Sequence, residues 1–170
     1  RRHILEQFKR SFVGQLQASL AMLEDSIAKC PPTLWNAPIA NYAFWHVAYH
    51  ALCFVDVYLS RDNDAWQPQT QPGGIHPAGR AELDNEFPSR AFTAHELLAY
   101  AAFCRAKIDA ELARETEASL AGPSGFSHLP ISRAELHLYN LRHAQHHAGQ
   151  LTAFLHKNGV STRWVKTGQR

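Results

Sequence analysis

The chain has 170 residues, of which 45% are apolar and 19% are charged, a composition that is typical of globular proteins and excludes a disordered chain. Its formal net charge of +2 is too small to predict nucleic-acid binding, and no apolar run is long enough for a transmembrane helix. The length suits one domain with a hydrophobic core, so we predict a single domain over residues 1–170.

Two helices are predicted in the first third of the chain. The first runs from about Ile4 to Ala28, where apolar residues recur at three- and four-residue spacings. It ends before Pro31-Pro32, because proline cannot continue a helix. The second runs from about Ala40 to Ser60 and is apolar on nearly every side, which predicts burial against more than one neighbouring element.

Two further helices are predicted in the second half. The third begins at Thr93, whose spacing from Glu96 is that of a capping box. The fourth begins at Ser132, which forms the same pattern with Glu135, and it ends at Asn158-Gly159. The inner face of the third helix is predicted to consist of Leu97, Ala101, Cys104, Ile108 and Leu112. The sequence has no useful length of strand-like alternation, so we predict an all-α protein.

A long connection is predicted between the second and third helices, from Arg61 to Phe92. Proline and glycine interrupt it at Pro68, Pro72, Gly73, Gly74, Pro77, Gly79 and Pro88. Structureless segments of this length are uncommon in compact domains. We interpret it mainly as a crossover between helices that are not close neighbours, with the covering of an opening as an additional role. A shorter loop is predicted over Leu120–Leu129.

The fourth predicted helix carries two histidines one turn apart, His143 and His147. At about 100° per residue they fall on the stripe that faces the core. The stripe consists of Leu136, Asn140, His143, His147, Leu151 and Phe154. Burying two imidazoles costs free energy unless each has a partner, and a shared metal ion supplies one. The alternative is two core histidines that are hydrogen-bonded to neighbouring groups.

A tight metal site needs a third ligand, and the second helix offers two candidates. His50 is central on an apolar face, whereas His46 lies one turn earlier and about 40° to one side. We choose His50 and keep His46 as the reserve. Three imidazoles suit zinc, nickel, cobalt or ferrous iron rather than calcium or magnesium, and they leave a coordination position for water or a substrate atom.

The other histidines are predicted to be bystanders. His146 is assigned to the surface or rim, because it lies about 80° from the stripe. His137 and His156 are assigned to the flank of the same helix. The remaining four lie near helix starts or in loops, where His76 and His128 are the two that could add a ligand: His3, His76, His95 and His128.

Several neighbours of the histidines are predicted to support the site. Asn140 and Gln150 each lie one turn from a histidine and could hold an imidazole or a bound water by a hydrogen bond. Gly149 suggests the close approach of another helix. The second helix adds polar residues that we assign to packing, for the tyrosines, and to surface charge, for the aspartate: Tyr49, Tyr58 and Asp56.

Cysteine and tryptophan usage suggests a location and an assembly. The three cysteines are odd in number and irregularly spaced, so we predict free thiols, which suit the cytoplasm: Cys30, Cys53 and Cys104. The apolar second helix would suit a subunit interface and therefore a homodimer, as would the tryptophans outside the core pattern: Trp35, Trp66 and Trp164.

The motifs resemble those of the DinB-like superfamily. The match rests on Trp45-x-x-x-Tyr49-His50, continuing through Asp56-Val-Tyr58-Leu59, and on His143-x-x-x-His147-x-Gly149-Gln150. The resemblance implies a four-helix bundle with up-down-down-up connections and a long crossover between helices 2 and 3. It also implies a three-histidine divalent-metal site, whose ligands carry over to His50, His143 and His147.

Known members of that superfamily include thiol-dependent S-transferases, maleylpyruvate isomerases and hydrolase-like proteins. Branches tied to ergothioneine synthesis carry an acidic residue where this chain has Gln150, which argues against that branch. We therefore expect an enzyme that uses zinc, nickel or iron to activate a low-molecular-weight thiol or water for reaction with a small-molecule substrate. The alternatives are a non-catalytic, metal-stabilised dimeric bundle that serves as a stress-response or interaction module, and a histidine-rich bundle that binds no metal in the cell.

Overall fold

The computed structural model describes residues 2–66 and 90–168, and this part of the chain is mostly helical. The all-α class is therefore confirmed. None of the described helices combines the length and the apolar character that a membrane span requires. The elements in chain order are α1 (Arg2–Lys29), β1 (Pro38–Ile39), β2 (Tyr42–Ala43), α2 (Phe44–Leu59), α3 (Ala94–Arg114), α4 (Glu117–Ala121) and α5 (Arg133–Lys157).

Most predicted helix ends agree with the structure, but the start of the second helix, predicted at about Ala40, is wrong, because β2 occupies Tyr42–Ala43 and α2 begins at Phe44. Helix α1 stops at Lys29, two residues before the proline pair. Thr93 and Glu96 form a complete capping box at the start of α3, in which the Thr93 side chain accepts from the Glu96 N–H and the Glu96 side chain accepts in return. Ser132 caps α5 by accepting from the Glu135 N–H.

Three short elements were not predicted. Strands β1 and β2 pair antiparallel over only two residues each, which is too short for a period-two pattern to be read from the sequence. Helix α4 precedes the predicted loop and overlaps its first two residues, and Thr116 and Ser119 cap it reciprocally. The predicted crossover and its covering role fall largely on residues 67–89, together with His76, and these lie outside the described residues.

Helices α1 and α2 each pack mainly against α3 and α5. Their contacts show that α1 runs parallel to α5 and that α2 runs parallel to α3. The pairs α1–α3 and α2–α5 are antiparallel. The contacts of the parallel pairs are Ser19–Gln145, Ser26–Thr152, Leu52–Cys104 and Ser60–Lys107. The contacts of the antiparallel pairs are Lys9–Ala113, Gln17–Arg105, Phe44–Phe154 and Tyr58–Tyr139.

Helix α2 lies at the centre of the core. Every residue of this helix except Trp45 is buried, as its all-round apolar pattern predicts. The predicted inner face of α3 is buried as well. Because neighbouring helices of the same chain cover α2, its apolar faces are not available for a subunit interface. Trp66 is also buried and Trp35 packs against the core, so of the three tryptophans proposed for an interface only Trp164 is exposed.

The assignment of Asp56 to the helix surface is wrong. This side chain is fully buried between α2 and α3. Lys107 Nζ lies 2.6 Å from Asp56 Oδ1, while Tyr100 Oη and Trp66 Nε1 donate to Oδ2 at 2.7 and 2.9 Å. The helical wheel could not place Asp56, because α2 has no polar face. Partners from other segments offset the free-energy cost of burying its carboxylate. Tyr49 and Tyr58 pack in the core, as predicted.

Candidate metal centre

Two antiparallel helices bring three histidines together. Helix α2 contributes His50, and one face of α5 contributes His143 and His147 one turn apart. His50 is 8% exposed, His147 is 6% exposed and His143 is half-buried. The three side chains selected from the sequence therefore meet inside the protein.

The three imidazoles direct their Nε2 atoms at one point. His143 Nε2 lies 3.1 Å from His50 Nε2 and 3.2 Å from His147 Nε2. The three ligand atoms lie within 4.8 Å of one another, so the group could hold a metal ion. Zinc–nitrogen bonds of 2.0–2.1 Å in tetrahedral geometry require nitrogens separated by about 3.3 Å. The two spacings from His143 Nε2 thus already match that of imidazoles around a small divalent cation.

Gln150 determines which nitrogen of His147 carries the proton. His147 Nδ1 lies 2.8 Å from Gln150 Oε1, an acceptor, so Nδ1 carries the hydrogen and donates it. Nε2 of His147 is then left with a lone pair that points at the other two rings. Orientation of a ligand imidazole by a hydrogen bond at its far nitrogen is the usual arrangement in metal sites. The predicted supporting role of Gln150 is consistent with this contact.

Hydrogen bonding among the three rings depends on their tautomers. With a lone pair on His147 Nε2, His143 Nε2 can donate a proton to it. His143 Nδ1 is buried and has no hydrogen-bond partner among the described residues. A cation is a partner that all three Nε2 lone pairs can share. The donor set of this structure therefore fits a divalent transition metal.

The surroundings keep the imidazoles neutral. Burial, followed by the neighbouring imidazoles of His147 and His50, lowers the pKa of His143 from 6.5 to about 2. Burial and the imidazole of His50 lower the pKa of His147 to about 4. Metal binding requires the neutral ring, so these histidines need not lose a proton at neutral pH before they bind.

An aromatic side chain that the sequence analysis did not single out forms one wall of the cluster. The ring of Phe54 lies 4.8 Å from that of His50 and 5.4 Å from that of His143. Phe54 stands one turn after His50 on α2, and this i, i+4 spacing is the signal that could have identified it. Among residues 2–66 and 90–168, no carboxylate or cysteine joins the three histidines, so the protein ligands are three neutral nitrogens.

The reserve ligand lies elsewhere. His46 is buried one turn earlier on α2, where its ring stacks on Trp45 at 5.2 Å and meets Tyr42 edge-on at 6.0 Å. It is not a member of the three-histidine group. The structure therefore brings His50, and not His46, to the two histidines of α5.

The other histidines mostly occupy the positions assigned to them. His146 is exposed, as are four others, His3, His95, His128 and His156. The placement of His137 on the flank of the helix is wrong. This residue is fully buried, and its Nε2 lies 2.9 Å from Glu115 Oε1. The partner carboxylate lies just beyond the end of α3, and the wheel of α5 alone could not show it.

Asn140 and Gly149 do not have the roles that were predicted for them. Asn140 does not hold an imidazole through its amide nitrogen, which donates to the Val55 carbonyl of α2 at 3.2 Å and so joins the two helices that carry the histidines. Gly149 does not mark a close helix contact, because a β-carbon placed there would meet no described atom within 4 Å. Both errors arise because spacing along one helix does not reveal what lies opposite.

The fold and this cluster together define a helical protein with a three-histidine group that could hold a metal ion. The model of the DinB superfamily matches residues 15–151, a range that includes all three histidines. The chain therefore belongs to the DinB superfamily, as its motifs suggested. A comparison with curated proteins finds no significant match.

Proposed function

We propose that this protein is a divalent-metal-dependent enzyme whose ligands are His50, His143 and His147. The observation that carries the proposal is the convergence of three Nε2 atoms, 3.1 and 3.2 Å apart, at the contact between α2 and α5. Three protein ligands leave a further coordination position, which is typical of catalytic rather than closed structural sites. Zinc, nickel and ferrous iron are the metals that suit three imidazoles.

The reaction we propose is transfer of a low-molecular-weight thiol to a small electrophile, with hydrolysis as the second candidate. A divalent metal at this site would lower the pKa of a bound thiol or water and so raise the concentration of its nucleophilic anion. The three imidazoles hold the metal without neutralising its charge, because none of them is anionic. Gln150 orients the His147 ring, and Phe54 excludes water from one side of the cluster.

We also propose the finer architecture that the resemblance implies. A four-helix bundle with up-down-down-up connections, formed by one domain over residues 1–170, is supported by the directions of the contacts described above. Helices α1 and α5 run together, and α2 and α3 run opposite to them. The long crossover of this proposal joins α2 to α3, two helices that run in the same direction.

A non-catalytic, metal-stabilised protein is the second candidate function. The observation that favours it is the low exposure of His50 and His147, 8% and 6%, on two different helices. A metal shared by these rings would cross-link α2 to α5 and stabilise the folded state. The exposed Trp164 is the tryptophan that still supports the homodimer proposed with this candidate. The three free cysteines support our proposal of a cytoplasmic location.

The experiment uses the full chain without a histidine tag. Its metal content is measured by elemental analysis, and the zinc, nickel and iron forms are then assayed. The assays combine glutathione or cysteine with 1-chloro-2,4-dinitrobenzene, and use 4-nitrophenyl acetate for hydrolysis. The test variant is His147→Ala. The matched control is His95→Ala, which removes an exposed imidazole from the first turn of α3.

We expect about one metal ion per chain in the wild type and in His95→Ala, and loss of tight binding in His147→Ala. The metal-dependent rate should fall at least about tenfold in His147→Ala, which corresponds to a loss of about 1.4 kcal/mol of transition-state stabilisation. Equal rates in His147→Ala and His95→Ala would overturn the enzymatic proposal. Metal binding that depends on His147, without any metal-dependent reaction, would favour the non-catalytic candidate.

A further inference from the structure

A concave surface outside the histidine cluster lies between α1, α5 and the C-terminal segment 160–168. We call it the Trp164 groove, and its volume is about 560 Å³. Its apolar lining comes from all three segments, and consists of Ala18, Met22, Leu138, Leu141, Trp164 and Val165. Leu138 is 52% exposed and Trp164 is 72% exposed. Large apolar side chains that remain exposed around a groove are a common mark of a binding surface.

The backbone on both sides of Trp164 is fixed to α1. On one side, the Arg163 N–H donates to Asp25 Oδ2 at 2.9 Å. On the other, Gln15 Nε2 donates to the Lys166 carbonyl at 3.1 Å, and the Gly168 N–H donates to the Gly14 carbonyl at 2.8 Å. The backbone that carries Trp164 is therefore held against α1, and a ligand that contacts the indole need not order this part of the chain.

The polar lining of the groove combines three neutral side chains, Gln15, Ser19 and Gln145, with three basic ones. Arg142, His146 and Lys166 line it and are exposed. None of the described residues that line the groove is acidic. An apolar floor with cations at its edge is complementary to a ligand that combines apolar groups with carboxylates.

We propose that the Trp164 groove binds a short acidic peptide segment of a partner protein, with a bulky apolar side chain against Trp164 and carboxylates near Arg142 and Lys166. A second copy of this chain fits less well, because a symmetric contact would bring the same cations together without an acidic residue in either lining. A membrane surface also fits less well, since the groove is concave and a bilayer is flat. Tryptophan is enriched among the residues that dominate binding energies.

The test begins with selection of random 12-residue peptides displayed on phage against the immobilised full chain. Enriched sequences are synthesised with a fluorescein label, and their affinities are measured by fluorescence anisotropy. The test variants are Trp164→Ala and Lys166→Glu. The matched controls are Ile4→Ala, which shortens another exposed apolar side chain, and Lys157→Glu, which reverses an exposed charge at the end of α5. His147→Ala separates this site from the metal centre.

We expect the enriched peptides to combine aspartate or glutamate with an aromatic or aliphatic residue. Their affinity should fall at least about tenfold in Trp164→Ala and severalfold in Lys166→Glu, and it should weaken as salt is added. Both controls and His147→Ala should bind like the wild type. That last result would preserve the peptide site even if the proposed enzymatic function failed.

Three outcomes would overturn the proposal. The first is the absence of enriched sequences, or equal binding of the enriched peptides to Trp164→Ala and the wild type. The second is a dimer, seen by sedimentation, that Trp164→Ala dissociates, which would assign the groove to a second copy. The third is co-sedimentation with phosphatidylserine vesicles that Trp164→Ala abolishes, which would assign this surface to a membrane.

Discussion

Helix α2 carries two buried polar groups with opposite character. Asp56 faces α3, where an ammonium group, a phenol and an indole N–H satisfy its carboxylate. His50 faces α5, where it meets two more imidazoles and no carboxylate among the described residues. The first cluster contains both signs of charge and pairs its donors with acceptors. The second contains several lone pairs directed at one point.

A third cluster resembles that of Asp56. Glu115 Oε1 receives Arg133 Nε and lies near His137 Nε2, both at 2.9 Å. Burial opposes ionisation of this carboxyl group, but the hydrogen bonds from His137, Ser119 and Arg133 outweigh it and lower the pKa of Glu115 to about 2. Arg133 also donates to the carbonyls at the end of α2, with Nη2 at 2.9 Å from the Leu59 oxygen. This cluster thus caps the carboxyl end of α2 and pairs the Glu115 carboxylate with protein groups.

The contrast indicates how to distinguish a structural polar cluster from a binding site in this protein. Every charged group in the clusters around Asp56 and Glu115 is paired with another protein group, although His137 Nδ1 has no hydrogen-bond partner among the described residues. The histidine cluster contains no carboxylate among the described residues, and its three Nε2 atoms are directed at one point where a cation could bind. This difference predicts that mutations in the two kinds of cluster change the free energy of unfolding by different amounts.

The largest expected effect distinguishes Asp56 from His143 in metal-free protein. Asp56→Leu should destabilise the fold by about 3–5 kcal/mol, because it leaves the Lys107 ammonium in a largely buried site without its counter-ion. His143→Leu should change stability by less than about 1 kcal/mol, because it removes an imidazole with an unpartnered nitrogen. Urea unfolding with a chelator present measures both. Equal destabilisation by Asp56→Leu and His143→Leu would contradict the distinction between the two clusters. The control for Asp56→Leu is Asp64→Leu, which replaces an exposed aspartate.

A smaller effect is expected at Gln150, which touches the cluster from outside. Gln150→Leu should weaken metal affinity about 10–100-fold, because the His147 ring loses the acceptor that fixes its tautomer. Gln150→Glu keeps an acceptor at this place and should retain binding. Competition with a metal-sensitive dye measures the affinities. Unchanged affinity in Gln150→Leu would show that Gln150 does not orient the ligand.

The smallest effect is the change that one histidine makes to the pH dependence of stability, over one pH unit, in metal-free protein. His143 and His147 have pKa values below 6.5 in the fold, so the unfolded chain binds more protons, and stability falls as pH falls from about 6.5 towards their folded values of about 2 and about 4. Each such proton contributes about 1.4 kcal/mol per pH unit. Glu115 contributes stability above its unfolded pKa of 4.5, and this is lost as pH falls towards about 2.

The two kinds of cluster therefore change the stability of the fold in different pH ranges. Between about pH 6 and pH 5, His143→Leu should reduce the slope of stability against pH, whereas Glu115→Gln should leave that slope nearly unchanged. Urea midpoints at several pH values provide the measurement. A slope that His143→Leu does not alter would mean that this histidine is already partnered in the metal-free fold.

Much of the fold could be predicted because it depends on local chemistry. The proline pair that ends α1, the capping box at Thr93 and the apolar periodicity of α3 each act within a few residues. The inward positions of His143 and His147 follow from the same periodicity. The strands and α4 were missed because a two-residue pairing and a five-residue helix leave almost no periodic signal.

The sequence alone determined where the long helices lie and that His143 and His147 face inward, because backbone hydrogen bonding and helical periodicity are local properties. Only the tertiary structure decided that His50 rather than His46 meets the pair on α5, that Asp56 and His137 are buried, and that Asn140 binds backbone. Those outcomes depend on which group from another helix lies opposite each side chain. The rotation and direction of two packed helices determine that, and neither is encoded in the spacing along either helix.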